Sequence, residues 1–300
     1  MTNGLSIRNI SKRYGPVAAL TDVSLEIPRG LFGLLGPNGA GKSTLMRTIA
    51  TLQAPDAGSL HLDGIDVLRD PHGARRRLGF LPQDFNVYPR ATPLELMDYF
   101  AQLKGVAARA ERRATIERLL VATNLWSVRK RALGGFSGGM RQRFGVAQAL
   151  IGNPSLLIVD EPTAGLDPEE RLRLMDLLCV AAEQATVLFS THIVEDVQAI
   201  CSTMAMIQRG RIVATGNPRD AVAALAGRVW RVEAPRAVAA RHVGEDAILT
   251  RRRIEGAEQV HVFAETRPGP NYEPVSPTLE HVYFHRIGPQ GRGDDDRPAV

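Results

Sequence analysis

Cysteine is nearly missing from this 300-residue chain: Cys179 and Cys201 are the two present, and their spacing matches neither a zinc-ligand pattern nor a C-x-x-C redox pair. This excludes a disulfide scaffold and a thiolate-bound structural metal, and it predicts two buried free thiols in a reducing compartment. Long apolar runs are also missing. No window approaches the roughly 18 residues that a membrane-crossing helix needs, and the opening MTNGLSIRNISKRYG lacks the apolar stretch of a secretory signal. A chain that stays in the cytoplasm is therefore expected. Aromatic residues make up 5% and are not interleaved with the arginine clusters Arg75 to Arg77, Arg129 to Arg131 and Arg251 to Arg253. Those clusters read as solvated surface, and no nucleic-acid partner is expected from them.

What is there is an ordinary globular composition, 44% apolar and 23% charged with a formal net charge of +5. Its length suits one large domain with a small appendage. SLEI, LFGLL, SLHLDG and LGFLP are short apolar runs bounded by Gly, Pro and Asp and read as strands, interrupted by a helix after GAGKST. From about 88 to 152 the texture becomes helical, with Leu96, Phe100 and Leu103, then Ile116, Leu119 and Leu120, at helical spacing. Strand texture returns at SLLIVDEP, TVLFSTH and MAMIQRG with helices between, the pattern of buried parallel strands joined by crossovers.

The fold expectation is thus α/β, with a mostly parallel sheet core, an antiparallel β part at the N-terminus and an inserted helical subdomain. The main domain is expected over 1–217. RVWRVEA, EQVHVFAE and the helical TLEHVYFHRIG predict a small α+β appendage over 218–285, and GPQGRGDDDRPAV predicts a disordered tail over 286–300.

Three motifs carry chemistry. GPNGAGKST, comprising Gly36, Pro37, Asn38, Gly39, Ala40, Gly41, Lys42, Ser43 and Thr44, follows a strand and opens a helix, the setting of a P-loop. Its glycines let backbone N–H groups turn toward phosphate oxygens, Lys42 brings a point charge to the terminal phosphates, and Ser43 offers an oxygen to Mg2+. LLIVDEP ends a strand in two adjacent carboxylates that point to opposite sides. Asp160 suits Mg2+ and Glu161 suits a water in line with the terminal phosphate. GGFSGGMRQR puts Ser137 at the cap of a helix whose Met140, Phe144, Ala147 and Ile151 recur on one face. Gly138 and Gly139 leave its N-terminus open to an anion. Gln83 and His192 each follow a strand-like run, at the carboxyl edge of a parallel sheet.

The ordered set GPNGAGKST, LPQD, FSGGM, LLIVDEP, AGLD and STH resembles the ATP-binding cassette (ABC) subunit of membrane transporters, from residue 4 to about 217. The resemblance implies that the chain is a P-loop ATPase using ATP and Mg2+. It implies that Tyr14 stacks on adenine, that Gly36 to Thr44 bind phosphates, and that Gln83 links Mg2+ to the membrane subunit. Asp160 would aid the metal, Glu161 would be the general base, and His192 would hold the terminal phosphate and the attacking water. Ser137, Gly138 and Gly139 would contact ATP held by the opposite subunit of a homodimer or of a paired ABC subunit, and Asp167 would reach across the same seam. The chain departs from the family's usual signature at Phe136 and Met140, where leucine and glutamine are customary.

The same resemblance implies a transmembrane permease as partner, with the chain peripheral at the cytoplasmic face of the membrane. The stretch from Gln83 to Tyr99, with Phe85, Tyr88 and Pro89, is similar to the part that grips the permease. The wording of the motifs is most similar to exporters of drugs, lipids or polysaccharides. The contrasting expectation is a soluble ABC ATPase that acts on nucleic acid or ribosomes.

Overall fold

The computed structural model describes residues 4–254 and 256–288. Strands β1 (Gly4–Tyr14) and β2 (Val17–Pro28) pair antiparallel, and β3 (Gly30–Leu35) starts the central sheet. In β2, Val23, Leu25 and Ile27 are buried while Ser24 and Glu26 are exposed, the alternation of a sheet with one face on a core. Helix α1 (Lys42–Ile49) follows the glycine-rich loop, then β4 (Ala57–Leu62), β5 (Ile65–Asp66), α2 (Pro71–Arg76) and β6 (Leu78–Leu81).

The helical stretch contains α3 (Pro93–Leu103), α4 (Arg109–Ala122) and α5 (Gly138–Ala149). Thr92 and Glu95 form a reciprocal capping box that starts α3. Phe144, Ala147 and Ile151 pack with Leu96, Leu119 and Leu120 into a separate apolar cluster, with Met140 at its edge. Each fully buried side chain of that size contributes about 1.5–3 kcal/mol.

The chain then returns to the central sheet through β7 (Leu156–Asp160), α6 (Pro168–Ala182), β8 (Thr186–Thr191), α7 (Val194–Ile200), β9 (Thr203–Gln208) and β10 (Arg211–Gly216). The sheet order is β10-β9-β3-β8-β7-β6, parallel except for the edge strand β10. Successive residues of β3 serve different cores. Phe32 and Leu34 pack toward α1 and the antiparallel sheet β2-β1-β4-β5, whereas Leu31 and Leu35 pack toward α6 and α7. A parallel sheet covered on both faces explains why β3, β7 and β8 are buried without alternation.

Beyond β10 come α8 (Pro218–Ala223), β11 (Val229–Glu233), α9 (Arg236–Val243), β12 (Ile248–Ile254), β13 (Ala257–Phe263), β14 (Glu273–Pro274) and α10 (Leu279–Ile287). The antiparallel order is β12-β13-β11-β14. Val232, Val260 and Val262 pack with Ala239 of α9, while Val229 and Leu249 join Leu279 and Val282 of α10 in the core of the main sheet. Arg286 and Ile287, expected in a tail, belong to α10, and 289–300 lie outside the described residues. Cys201 is buried, but Cys179, expected to be buried, is exposed. It follows Leu177 and Leu178 on α6 and turns away from the face that they bury.

Candidate nucleotide site

The site lies where neighbouring parallel strands end. Taken in the sheet order β3, β8, β7, β6, their carboxyl ends release the loop 36–44, His192, Glu161 and Gln83. This crevice outside the strand ends is where an open α/β sheet binds its ligand.

Gly41 caps α1 with φ 107°, and no side chain occupies the first N–H groups of that helix, so they are available to an anion. A Cβ at Gly41 would stand 2.7 Å from the Ala19 carbonyl, and one at Gly36 would stand 2.4 Å from the Ile207 carbonyl. The loop is braced from below, with Gly210 N–H donating to Ala40 O at 2.9 Å and Thr21 N–H donating to Gly210 O at 2.8 Å. Lys42 Nζ donates to Gly36 O at 2.7 Å and Pro37 O at 3.1 Å. It also lies 3.1 Å from Glu161 Oε1.

Glu161 Oε2 accepts from Gln83 Nε2 at 3.4 Å and stands 3.1 Å from His192 Nδ1. Side chains from the start of α1 and from two separate loops thus converge on one carboxylate. Glu161 holds φ 48°, a left-handed conformation costly for a residue with a Cβ and typical of functional positions. Its N–H is held by Ser190 Oγ at 3.1 Å, and the same hydroxyl donates to Asp160 Oδ1 at 2.5 Å. The adjacent acids therefore diverge, Asp160 toward β8 and Glu161 toward the crevice.

Residues 38–44, Gln83 and Glu161, together with Val17, Ala18, Ala19, Arg209 and Gly210, line a cavity of about 530 Å³. Sequence reasoning missed the turn at Arg209 and Gly210, which carries no motif and reaches the loop only through the β9–β10 hairpin. Tyr14 ends β1 and is 47% exposed. Its hydroxyl donates to Gln53 Oε1 at 2.5 Å, and Gln53 Nε2 donates to Thr44 O at 3.0 Å, which ties it to the end of the phosphate loop.

Ser137, Gly138 and Gly139 do not line that cavity. Ser137 caps α5, its Oγ accepting from Met140 N–H at 3.2 Å. Gly138 faces a separate cleft of about 760 Å³ shared with Gln83, Phe85, Arg141 and Gly165. The two glycines differ: a Cβ at Gly138 meets nothing within 4 Å, whereas one at Gly139 would stand 2.3 Å from Glu170 Oε2. Asp167 is exposed and caps α6, accepting from Glu170 N–H at 2.9 Å. Arg143 and Glu170, which no motif singled out, join α5 to α6 through contacts of 3.1 and 3.3 Å, and Arg143 also donates to Thr123 O at 2.9 Å.

Among the described residues, no three His, Cys, Asp or Glu side chains converge as a metal-binding group. Of the oxygens expected to hold the metal, the Ser43 hydroxyl and the Gln83 amide line the cavity, while the Asp160 carboxylate is turned to Ser190 outside that lining. Such a sparse set of hard oxygens fits Mg2+, which keeps waters and phosphate oxygens in its shell.

Fold and site together define a P-loop nucleotide hydrolase. The family pattern described as ABC transporter matches residues 20–164. Nod factor export ATP-binding protein I of Burkholderia pseudomallei (strain 1710b) is 33% identical over 297 residues, covering 95% of this chain and 97% of that protein. The ABC transporter ATP-binding protein NatA of Bacillus subtilis (strain 168) is 40% identical over 219 residues, covering 71% of this chain and 89% of that protein. Among solved structures, that of an ATP-binding subunit of an ABC transporter aligns with a TM-score of 0.67 at 28% identity, covering 74% of this chain and 93% of the other. A dimeric post-hydrolysis state of the ATP-binding cassette MJ0796 bound to ADP and Pi aligns with a TM-score of 0.65 at 27% identity, covering 71% and 98%. This chain belongs to the ABC transporter family, as an ATP-binding subunit with ATPase activity.

Proposed function

We propose that the chain binds MgATP, dimerises on it, and hydrolyses it at the seam to drive a separate membrane permease that exports drugs, lipids or polysaccharides. Residues 1–217 form the ATPase domain in this reading, with 88–152 as its helical subdomain and 218–285 as the appendage. The observation that carries it is Glu161, a carboxylate at a strand end within reach of Lys42, Gln83 and His192. Export is supported by relatives named Nod factor export ATP-binding protein I. Among the described residues no helix is long and apolar enough to cross a membrane, which fits a peripheral subunit that works through a permease at the cytoplasmic face.

The chemistry follows from the residues. Loop N–H groups and Lys42 hold the β- and γ-phosphates, and Tyr14 stacks on adenine. Glu161 accepts the proton of the attacking water as it adds in line to the γ-phosphorus, the bond from that phosphorus to the β–γ bridging oxygen breaks so that ADP and phosphate are the products, and His192 orients the water and the γ-phosphate. Mg2+, held by Ser43 and Gln83 with Asp160 aiding it through water, would neutralise charge on the phosphate oxygens. Ser137, Gly138 and Gly139 serve the nucleotide of a second chain in this reading, which their absence from the chain's own cavity supports, and Asp167 meets that chain at the same seam. Glu161→Gln should bind MgATP yet lose most turnover and accumulate as a dimer. Wild-type turnover in that variant would remove Glu161 from the role of base. Copurification of a polytopic membrane protein with the native chain would identify the permease, whereas turnover stimulated by DNA or ribosomes would contradict transport.

A further inference from the structure

Asp196 is a carboxylate that the chemistry above leaves without a task. It lies on α7, four residues after His192, and is 0% exposed. An ionised carboxylate is expensive to bury unless donors surround it, and here they come from three directions. Oδ2 accepts from Thr163 Oγ1 at 2.7 Å and from Thr191 Oγ1 at 3.3 Å. Oδ1 accepts from Arg171 Nε at 2.6 Å and Arg171 Nη2 at 2.5 Å.

These donors are not scattered through the core. Thr191 is the residue before His192, and its hydroxyl also accepts from Ile193 N–H at 2.9 Å, closing a turn with His192 at its centre. Thr163 sits two residues after Glu161, in a loop whose Ala164 N–H donates to Glu161 O at 3.3 Å. Arg171 is on α6, and its N–H donates to Asp167 O at 2.9 Å. One carboxylate therefore fastens the His192 turn, the loop leaving Glu161 and the helix capped by Asp167.

We propose that Asp196 is a positioning residue for hydrolysis, holding Glu161 and His192 in register with each other and with Asp167 at the dimer seam. The proposal rests on the catalytic reading given above. Residues bound to Asp196 stand beside the reacting groups rather than touching substrate, so its loss should lower turnover and leave nucleotide binding alone. Displacing a catalytic side chain by about 1 Å costs on the order of a hundred-fold in rate. A slacker tether should cost about ten-fold.

The test is steady-state ATP hydrolysis by the full chain, with turnover expressed per bound nucleotide and thermal midpoints measured alongside. Asp196→Asn and the isosteric Thr163→Val should each lower kcat by about five- to ten-fold or more, with KM and the ADP Kd within about two-fold of wild type. Thr163→Ser, which keeps the hydroxyl but loses a methyl, should retain kcat. Should Asp196→Asn fail to fold, Thr163→Val carries the test. In a His192→Ala background Thr163→Val should add little, because both changes act through the same pair; a purely structural loss would add in full. Wild-type kcat per bound nucleotide in Thr163→Val, whatever its thermal midpoint, would overturn the proposal. Glu161→Gln run beside these separates the failures: if it keeps turnover, the assignment of Glu161 is at fault and not the role of Asp196.

Discussion

Lys42 Nζ and Glu161 Oε1 lie 3.1 Å apart, and the two side chains are 4% and 7% exposed. The charge that would hold a γ-phosphate is thus shared with the carboxylate that would activate water. Any phosphate arriving over the loop competes with Glu161 for Lys42. Replacing Glu161 with Gln removes the competitor, so the monomeric variant should bind ADP more tightly than wild type. A fall of roughly three- to ten-fold in Kd, on the order of 1 kcal/mol, is expected by isothermal titration. Unchanged or weaker binding would mean that the ion pair does not oppose phosphate.

The two signature glycines make a paired prediction. Gly138 opens onto free space, whereas a Cβ at Gly139 would strike Glu170, whose carboxylate is already held by Arg143. Gly138→Ala should leave the chain as stable as wild type in urea. Gly139→Ala should cost about 1–3 kcal/mol, because either the ion pair or the approach of α5 to α6 must give. Equal stability of the two variants would contradict the packing described.

Acid should loosen the appendage. His261 Nδ1 and His281 Nε2 lie 2.8 Å apart, while His281 Nδ1 accepts from Thr278 N–H at 3.0 Å and caps α10. Burial pushes His281 down from its ordinary 6.5 to about 4, aided by His261 and Arg252. Burial lowers His261 as well, aided by Arg252 and Arg231. Both folded-state values lie below the unfolded one, so the unfolded chain binds protons first as pH falls. The stability of the neutral pair is complete above pH 6.5 and is lost as pH falls toward 4. A thermal midpoint that drops by roughly 5 °C more between neutral pH and about pH 4.5 than in His281→Gln, whose amide can still cap α10, is the expected result. Parallel curves would exclude the pair as the cause.

Most of the central site was legible because each of its parts announces itself where a strand ends. A P-loop has a fixed spacing, Asp160 and Glu161 close an unbroken apolar run, and Gln83 and His192 follow two more. The neighbours of those residues were not legible. Asp196 reads as an ordinary acid in a helical first turn, and Thr163 as one polar residue in a loop; only the crossing of β7, β8 and α6 brings them together. Gly210 supports the phosphate loop from a hairpin some 170 residues away in sequence, a contact that no local pattern encodes. In the appendage, Arg251 to Arg253 read as solvated surface, and they are exposed, yet they lie on β12 at the edge of a sheet whose other strands carry the apolar signal. Cys179 misled for a related reason: its apolar neighbours Leu177 and Leu178 take the buried face of α6 and leave it outside.

The central claim is that Ser137 and its glycines form half of a nucleotide site that only a second chain completes. Size-exclusion chromatography with light scattering tests it most directly, on Glu161→Gln with and without an added Ser137→Arg, each run in MgATP with bound nucleotide counted. The account predicts that Glu161→Gln elutes as a dimer, and that Ser137→Arg returns it to monomers that each still hold ATP. Loss of ATP from the monomer, or a dimer that survives Ser137→Arg, would contradict it.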